Sequence, residues 1–242
     1  MSYANGPKIV TDGLVLCLDA ANSKSYPGTG TAWNDLSGNG NNGVLRNGPQ
    51  YIANNGGIFD FDGTDDGVRI TSSDWCQANT SLSVFAWIYR QGEAQVNNHY
   101  LSIVNNSDQS IPQYGFSFYV RPALTYGSKL SGWTKAINNG AITTFDTNYV
   151  ISLNTWYYVG MTVQSASTST IKYYGNGNLI SSHSVSGQRF NNVTKTSIGQ
   201  FAEINEYEFN GYIPQVSIYN RVLSANEVQQ NYNALKGRYG LT

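Results

Sequence analysis

Apolar and polar positions alternate along this chain in short runs, each closed by Gly, Asn, Asp or Ser. A period of two marks a strand whose two faces differ, and Gly and Asn tolerate the backbone angles of tight turns. The clearest run is SLSVFAWIYR, with Leu82, Val84, Ala86 and Ile88 on one face and Phe85, Trp87 and Tyr89 on the other. Both faces are apolar, which predicts a central strand covered on both sides. Further strands are predicted at Leu14–Leu18, Val44–Leu45, Ile58–Phe61, Val68–Ile70, His99–Val104, Tyr114–Val120 and Ala141–Phe145. The rest fall at Trp156–Val163, Thr170–Tyr174, Leu179–Val185, Thr196–Ile198 and Gly211–Tyr219. Within YYGNGNLIS, Gly175, Asn176, Gly177 and Asn178 predict a hairpin turn.

One helix breaks the pattern. Ser224 followed by Glu227 is a capping box, Leu223 and Val228 form a hydrophobic staple, and Val228, Tyr232 and Leu235 make one apolar stripe. Gly237 is expected to close it in the left-handed conformation. The prediction is therefore all-β, with one short C-terminal helix packed on a sandwich. Residues 1–12 read as an arm and 13–242 as one domain.

Composition agrees with this class. Charged residues are 12% of the chain, with Lys+Arg 14 and Asp+Glu 15, so no basic stripe supports phosphate contacts with nucleic acid. No run of about 18 apolar residues predicts a membrane-spanning helix. The start MSYANGPKIVTDG lacks the apolar stretch of a secretory signal, so synthesis in a cytoplasm is expected. Cys17, within LVLCLD, reads as a small buried hydrophobe; with Cys76 it makes two separate thiols, or a disulfide.

The ordered set GLVLCLDAAN, WNDLSGNGNNG, FDFDGTDDGV, SLSVFAWIY, WYYVGMTV, YYGNGNLI, TSIGQ and FNGYIPQVSIYNRVLSANEV resembles the concanavalin A-like lectin/glucanase superfamily in its laminin-G-like branch. The resemblance runs from about Gly13 to Lys236, and IYNRVLSANEV is its most specific piece. It implies a two-sheet antiparallel jelly-roll sandwich, with Trp33 and Trp87 in its framework. The chain departs from the family at Pro214 and Gln215, where an acidic residue is common, and at Gly67, where an aromatic is common. The run NYNALKGRYG is similar to the ends of structural proteins of tailed bacteriophages.

Candidate chemistry is sparse. The stretch EINEYEF, with Glu203 and Glu208, nearly matches the Glu-x-Asp-x-x-Glu strand of jelly-roll glycanases, but Asn205 stands where the middle carboxylate belongs. Two carboxylates about 5–5.5 Å apart are what a retaining glycosidase needs, and this stretch reads instead as a polar rim connection. Some members of the superfamily bind calcium at the rim. Asp62, Asp65 and Asp66 are the metal candidates here, with Asp19 and Asp35 nearby; the alternative is that such residues simply make tight turns. For a ligand, the loop aromatics Tyr26, Trp75, Tyr114, Tyr126 and Trp133 are available, and the unusual stretch 121–140 makes Tyr126 and Trp133 the candidate contact residues. The alternative for these two is packing beneath a long loop.

The reading is a non-catalytic bacteriophage virion surface protein, a capsid decoration or tail-appendage component. It would dock on other virion proteins or on copies of itself and adhere to cell-surface glycans. The rivals are a free-standing carbohydrate-binding module and a glycoside hydrolase using Glu203 and Glu208.

Overall fold

A computed structural model describes residues 8–70, 75, 80–93, 100–106, 115–135, 142–187, 189, 195–201 and 207–242. The strands in chain order are β1 (Leu14–Asp19), β2 (Ala32–Trp33), β3 (Gly43–Arg46), β4 (Gln50–Ile52), β5 (Ile58–Asp62), β6 (Gly67–Ile70), β7 (Leu82–Arg90) and β8 (Leu101–Asn106). They continue as β9 (Phe116–Val120), β10 (Lys129–Lys135), β11 (Ile142–Val150), β12 (Trp156–Gln164), β13 (Thr168–Gly175), β14 (Asn178–Ser186), β15 (Thr196–Ile198) and β16 (Asn210–Tyr219). A single turn of helix, α1 (Ala123–Tyr126), precedes β10, and α2 (Ala225–Leu235) follows β16.

The strands form two antiparallel sheets. The back sheet has the order β14-β13-β12-β7-β16-β5-β4, with β1 also paired to β16. The front sheet runs β11-β10-β9-β8-β15-β6-β3-β2. This is the predicted sandwich. The main core lies between the sheets, where Leu82, Val84, Ala86 and Ile88 of β7 meet Phe116, Phe118, Val120 and Leu130 of the front sheet. The opposite face of β7 carries Phe85 and Trp87 into a second cluster on the back. β7 is central and covered on both sides because its two faces are apolar, and it pairs with β12 from Val163↔Leu82 to Trp156↔Tyr89. At Gly160 of β12 a Cβ would lie 1.9 Å from the Phe85 ring, so only glycine lets that ring lie flat against the sheet.

α2 covers the back cluster. Ser224 accepts from the Glu227 backbone and completes the capping box. Tyr232 stacks on Trp87 at 5.8 Å, and Tyr239, in a 3-10 turn at Lys236–Tyr239, stacks on Trp87 at 4.4 Å. The left-handed residue here is Gly240 (φ 71), not Gly237, because the chain tightens into the 3-10 turn before it breaks. The hairpin turn is borne out, with positive φ at Asn176 and Gly177.

Residues 8–12 lie against the sandwich rather than apart from it. The Val10 N–H donates to Asn231 Oδ1 (2.7 Å), its carbonyl accepts from Tyr219 Oη (3.1 Å), and the Lys8 carbonyl accepts from Gln230 (2.7 Å). The departures from the family pattern have local causes. Gln200 occupies the space beside Gly67, where a Cβ would come within 2.2 Å of it. Gln215 follows a register shift in β16 and hydrogen-bonds the Cys17 thiol, which burial holds at a pKa of about 12. Cys17 is a free, buried thiol, and Cys76 lies outside the described residues.

Candidate functional site

The outer face of the front sheet is made by alternation. On β9, Phe116, Phe118 and Val120 enter the core, which turns Ser117 and Tyr119, and then Arg121 beyond the strand end, outward. On β10 and β11 the same rule sends Leu130 and Phe145 inward and Ser131, Trp133 and Asp146 outward. Cross-strand pairing places Tyr119, Ser131 and Asp146 in one row. A third aromatic cluster sits here: Tyr119, Trp133 and Phe201, with Tyr100 and Tyr207 packed against it. Tyr100 stacks on Tyr119 at 4.7 Å and on Tyr207 at 5.5 Å.

A cleft opens at one end of this face. Pro122 leaves β9 in an extended conformation, α1 makes one turn, and Gly127 (φ 71) and Ser128 (φ 57) reverse the chain into β10. The reversal brings the Tyr126 ring over the Arg121 guanidinium, 4.2 Å from the ring centroid. Arg121 Nε donates to Asp146 Oδ1 (2.6 Å), and Ser131 Oγ donates to the same oxygen (3.0 Å). The cavity that results has a volume of about 410 Å³ and is lined by Arg121, Thr125, Tyr126, Lys129, Asp146 and Asn148, among others. Burial works against the charge of Arg121, but Tyr119, Asp146 and Tyr100 outweigh it and raise its pKa. Burial likewise pushes the Tyr119 phenol up, so it stays a neutral donor.

Both candidate contact residues belong to this face, in different settings. Tyr126 is 40% exposed at the cleft mouth, whereas Trp133 is 8% exposed and sits in a strand rather than in a loop. Tyr26 and Trp75 are core residues, and Tyr114 lies outside the described residues. Arg121, Asp146, Lys129 and Tyr100 were missed in the sequence, where KLSGWTK alternates with little hydrophobic contrast.

Asp62, Asp65 and Asp66 do come together, in the turn from β5 to β6, with carboxylate oxygens within 4.8 Å of one another. Much of their bonding is local: Asp62 Oδ1 accepts from the Thr64 N–H (2.8 Å), and Asp66 Oδ2 accepts from the Asp62 N–H (3.0 Å). Burial raises Asp66 to about 6, the Asp62 N–H opposes that rise, and the charges of Asp62, Asp65 and Asp60 add to it. Three carboxylates could supply part of the six to eight oxygens calcium takes. The nearby aspartates have other partners: Asp19 pairs with Arg238 (2.7 Å), and Asp35 accepts from Cys17 and Ser37. Of EINEYEF, Glu203, Asn205 and Glu206 lie outside the described residues, and Glu208 is fully buried.

A family model described as the concanavalin A-like lectin/glucanases superfamily matches residues 62–229. No curated protein matches the sequence. Among solved structures, the binding domain of Paraclostridial mosquitocidal protein 1 is similar at 19% identity, with TM-score 0.68, covering 96% of this chain and 56% of that one. The botulinum neurotoxin type G receptor-binding domain gives 17% identity and TM-score 0.66, covering 91% and 51%. Domain 4 of AbnA, an extracellular arabinanase of Geobacillus stearothermophilus solved with arabinotriose, gives 16% identity and TM-score 0.65, covering 90% and 98%. The chain thus spans about half the length of the toxin domains and nearly all of the arabinanase domain.

Proposed function

The chain belongs to the concanavalin A-like lectin/glucanase superfamily, and from that premise we propose that it is a non-catalytic glycan-binding domain carried on the surface of a tailed-bacteriophage virion. One observation carries the binding half: a cleft on a rigid sheet, with an exposed tyrosine at its mouth beside charged and amide groups. Sugars are commonly held by an aromatic ring against their C–H faces with polar groups for their hydroxyls, and sites of this kind gather where loops leave a rigid scaffold. The neighbours support it coarsely, since two are binding domains and a third was solved in complex with arabinotriose. Saturable binding on a glycan array, lost when Tyr126→Ala is introduced, is the expected result. A chain that binds no glycan, with or without calcium, sinks the proposal.

The virion half rests on the similarity of NYNALKGRYG to phage structural proteins. Much of that run also has a packing role, because Tyr232 and Tyr239 lie on Trp87. Other virion proteins, or further copies of this chain, would be its partners. Mass spectrometry of purified virions should find the chain, and its absence there would remove this half alone. Reducing-sugar release from a β-glucan, abolished by Glu203→Gln, would overturn the non-catalytic part.

A further inference from the structure

We infer that the cleft recognises an anionic sugar, one whose carboxylate meets Arg121 and Lys129; this rests on the reading of the chain as a glycan-binding domain. The way Arg121 is held carries the inference. Its Nε is committed to Asp146 Oδ1, and its face is covered by the Tyr126 ring. The residue is only 7% exposed, yet neither Nη1 nor Nη2 donates to any described residue. One hydrogen bond and one ring contact hold the guanidinium in place, and Arg121 is among the residues that line the cavity. Those two parallel N–H groups match the two oxygens of a planar carboxylate.

Charge points the same way. Lys129 lines the same cavity, with one long contact to Asn148 Oδ1 (3.4 Å) that leaves donors to spare. Among the described lining residues Asp146 is the only acidic side chain, so there two cations face one anion. Its Oδ1 already accepts from Arg121 and Ser131, while Oδ2 accepts from no described residue and is left, with the Asn148 amide, for ring hydroxyls. The exposed part of the Tyr126 ring supplies an apolar flank for the sugar's C–H groups. A neutral sugar would need the ring, the amide and the carboxylate, but it has no use for the excess positive charge.

The test is calorimetry of the full chain with a panel of hexuronic-acid and sialic-acid oligosaccharides. Each is paired with its carboxyl-reduced neutral counterpart, and a sulfated neutral oligosaccharide is included. At least one acidic form should bind, about tenfold or more tighter than its reduced partner, and the binding should weaken as salt is raised. Arg121→Lys keeps the charge but loses the fork and should cost about tenfold. Lys129 is half-buried at the first position of β10 rather than in its buried run, so Lys129→Gln serves as the second variant if Arg121→Lys unfolds, and it should cost several-fold. Equal binding of acidic and reduced forms, unmoved by either substitution, overturns the inference and leaves the glycan reading standing. So does binding that requires the sulfate and ignores the carboxylate. If no member of the panel and no neutral glycan binds, both fall together.

Discussion

Asp66 shows how one buried side chain sets a pH dependence. It is 5% exposed, and its carboxyl titrates near 6 in the folded chain against an ordinary 3.8. The folded state therefore holds a proton that the unfolded chain gives up first. The stability linked to this proton is full below about pH 4, declines as pH rises through the window, and is gone above about 6. At about 1.4 kcal/mol per pKa unit the whole effect is about 3 kcal/mol. Asp66→Asn keeps an acceptor for the Asp62 N–H and removes the buried charge. It should flatten this decline and raise the urea midpoint at pH 8, and an unchanged pH profile would show that burial does not govern the group. Calcium tests the expectation stated for the three aspartates: an ion held there should raise the melting temperature at neutral pH in the parent chain and leave Asp66→Asn unmoved. Glu227 runs the other way. Its bond to Arg221 holds it down to about 2, so its contribution is present above pH 4.5 and is lost as pH falls through 2.

At the scale of elements, α2 closes the back of the molecule. Tyr239 lies 4.4 Å from both Trp87 and Trp156, and burial of such a ring is worth more than its cap. Tyr239→Ala should cost about 3 kcal/mol or more, with a red shift of tryptophan emission. Ser224→Ala should cost about 1 kcal/mol. Chemical denaturation checks both, and equal losses would mean that capping rather than packing anchors the helix. The helix was legible in the sequence because its signals are local: cap, staple and stripe all lie within a dozen residues. Central strands were legible for a similar reason, since β7 and β12 carry apolar residues dense enough to mark themselves. β10 was not. KLSGWTK mixes polar and small residues because its outward side chains meet polar neighbours such as Asp146, so its alternation carries little hydrophobic contrast. The cleft was legible only at Tyr126. Arg121 and Asp146 stand 25 positions apart, and only the pairing of β9, β10 and β11 brings them together.

At the scale of the whole molecule, the two sheet faces are unlike. The back is sealed by hydrocarbon: Val10, Leu223, Val228 and Tyr239 are all buried there. The front carries tyrosines, an ion pair and the cleft. The docking of residues 8–12 against α2 and β16 gives this asymmetry a direction. Lys8 bonds to Gln230 of α2, and Leu241 packs on the same back cluster, so both lie on the side away from Arg121 and Tyr126. Anything joined after Thr242, whether a bead, a fusion partner or a particle, would stand behind the sandwich. The cleft would then face outward from the support, as a hand does from a sleeve. A sensor surface coupled through a tag after Thr242 should therefore keep full glycan capacity, while coupling through a cysteine introduced at Asn148 should lose it.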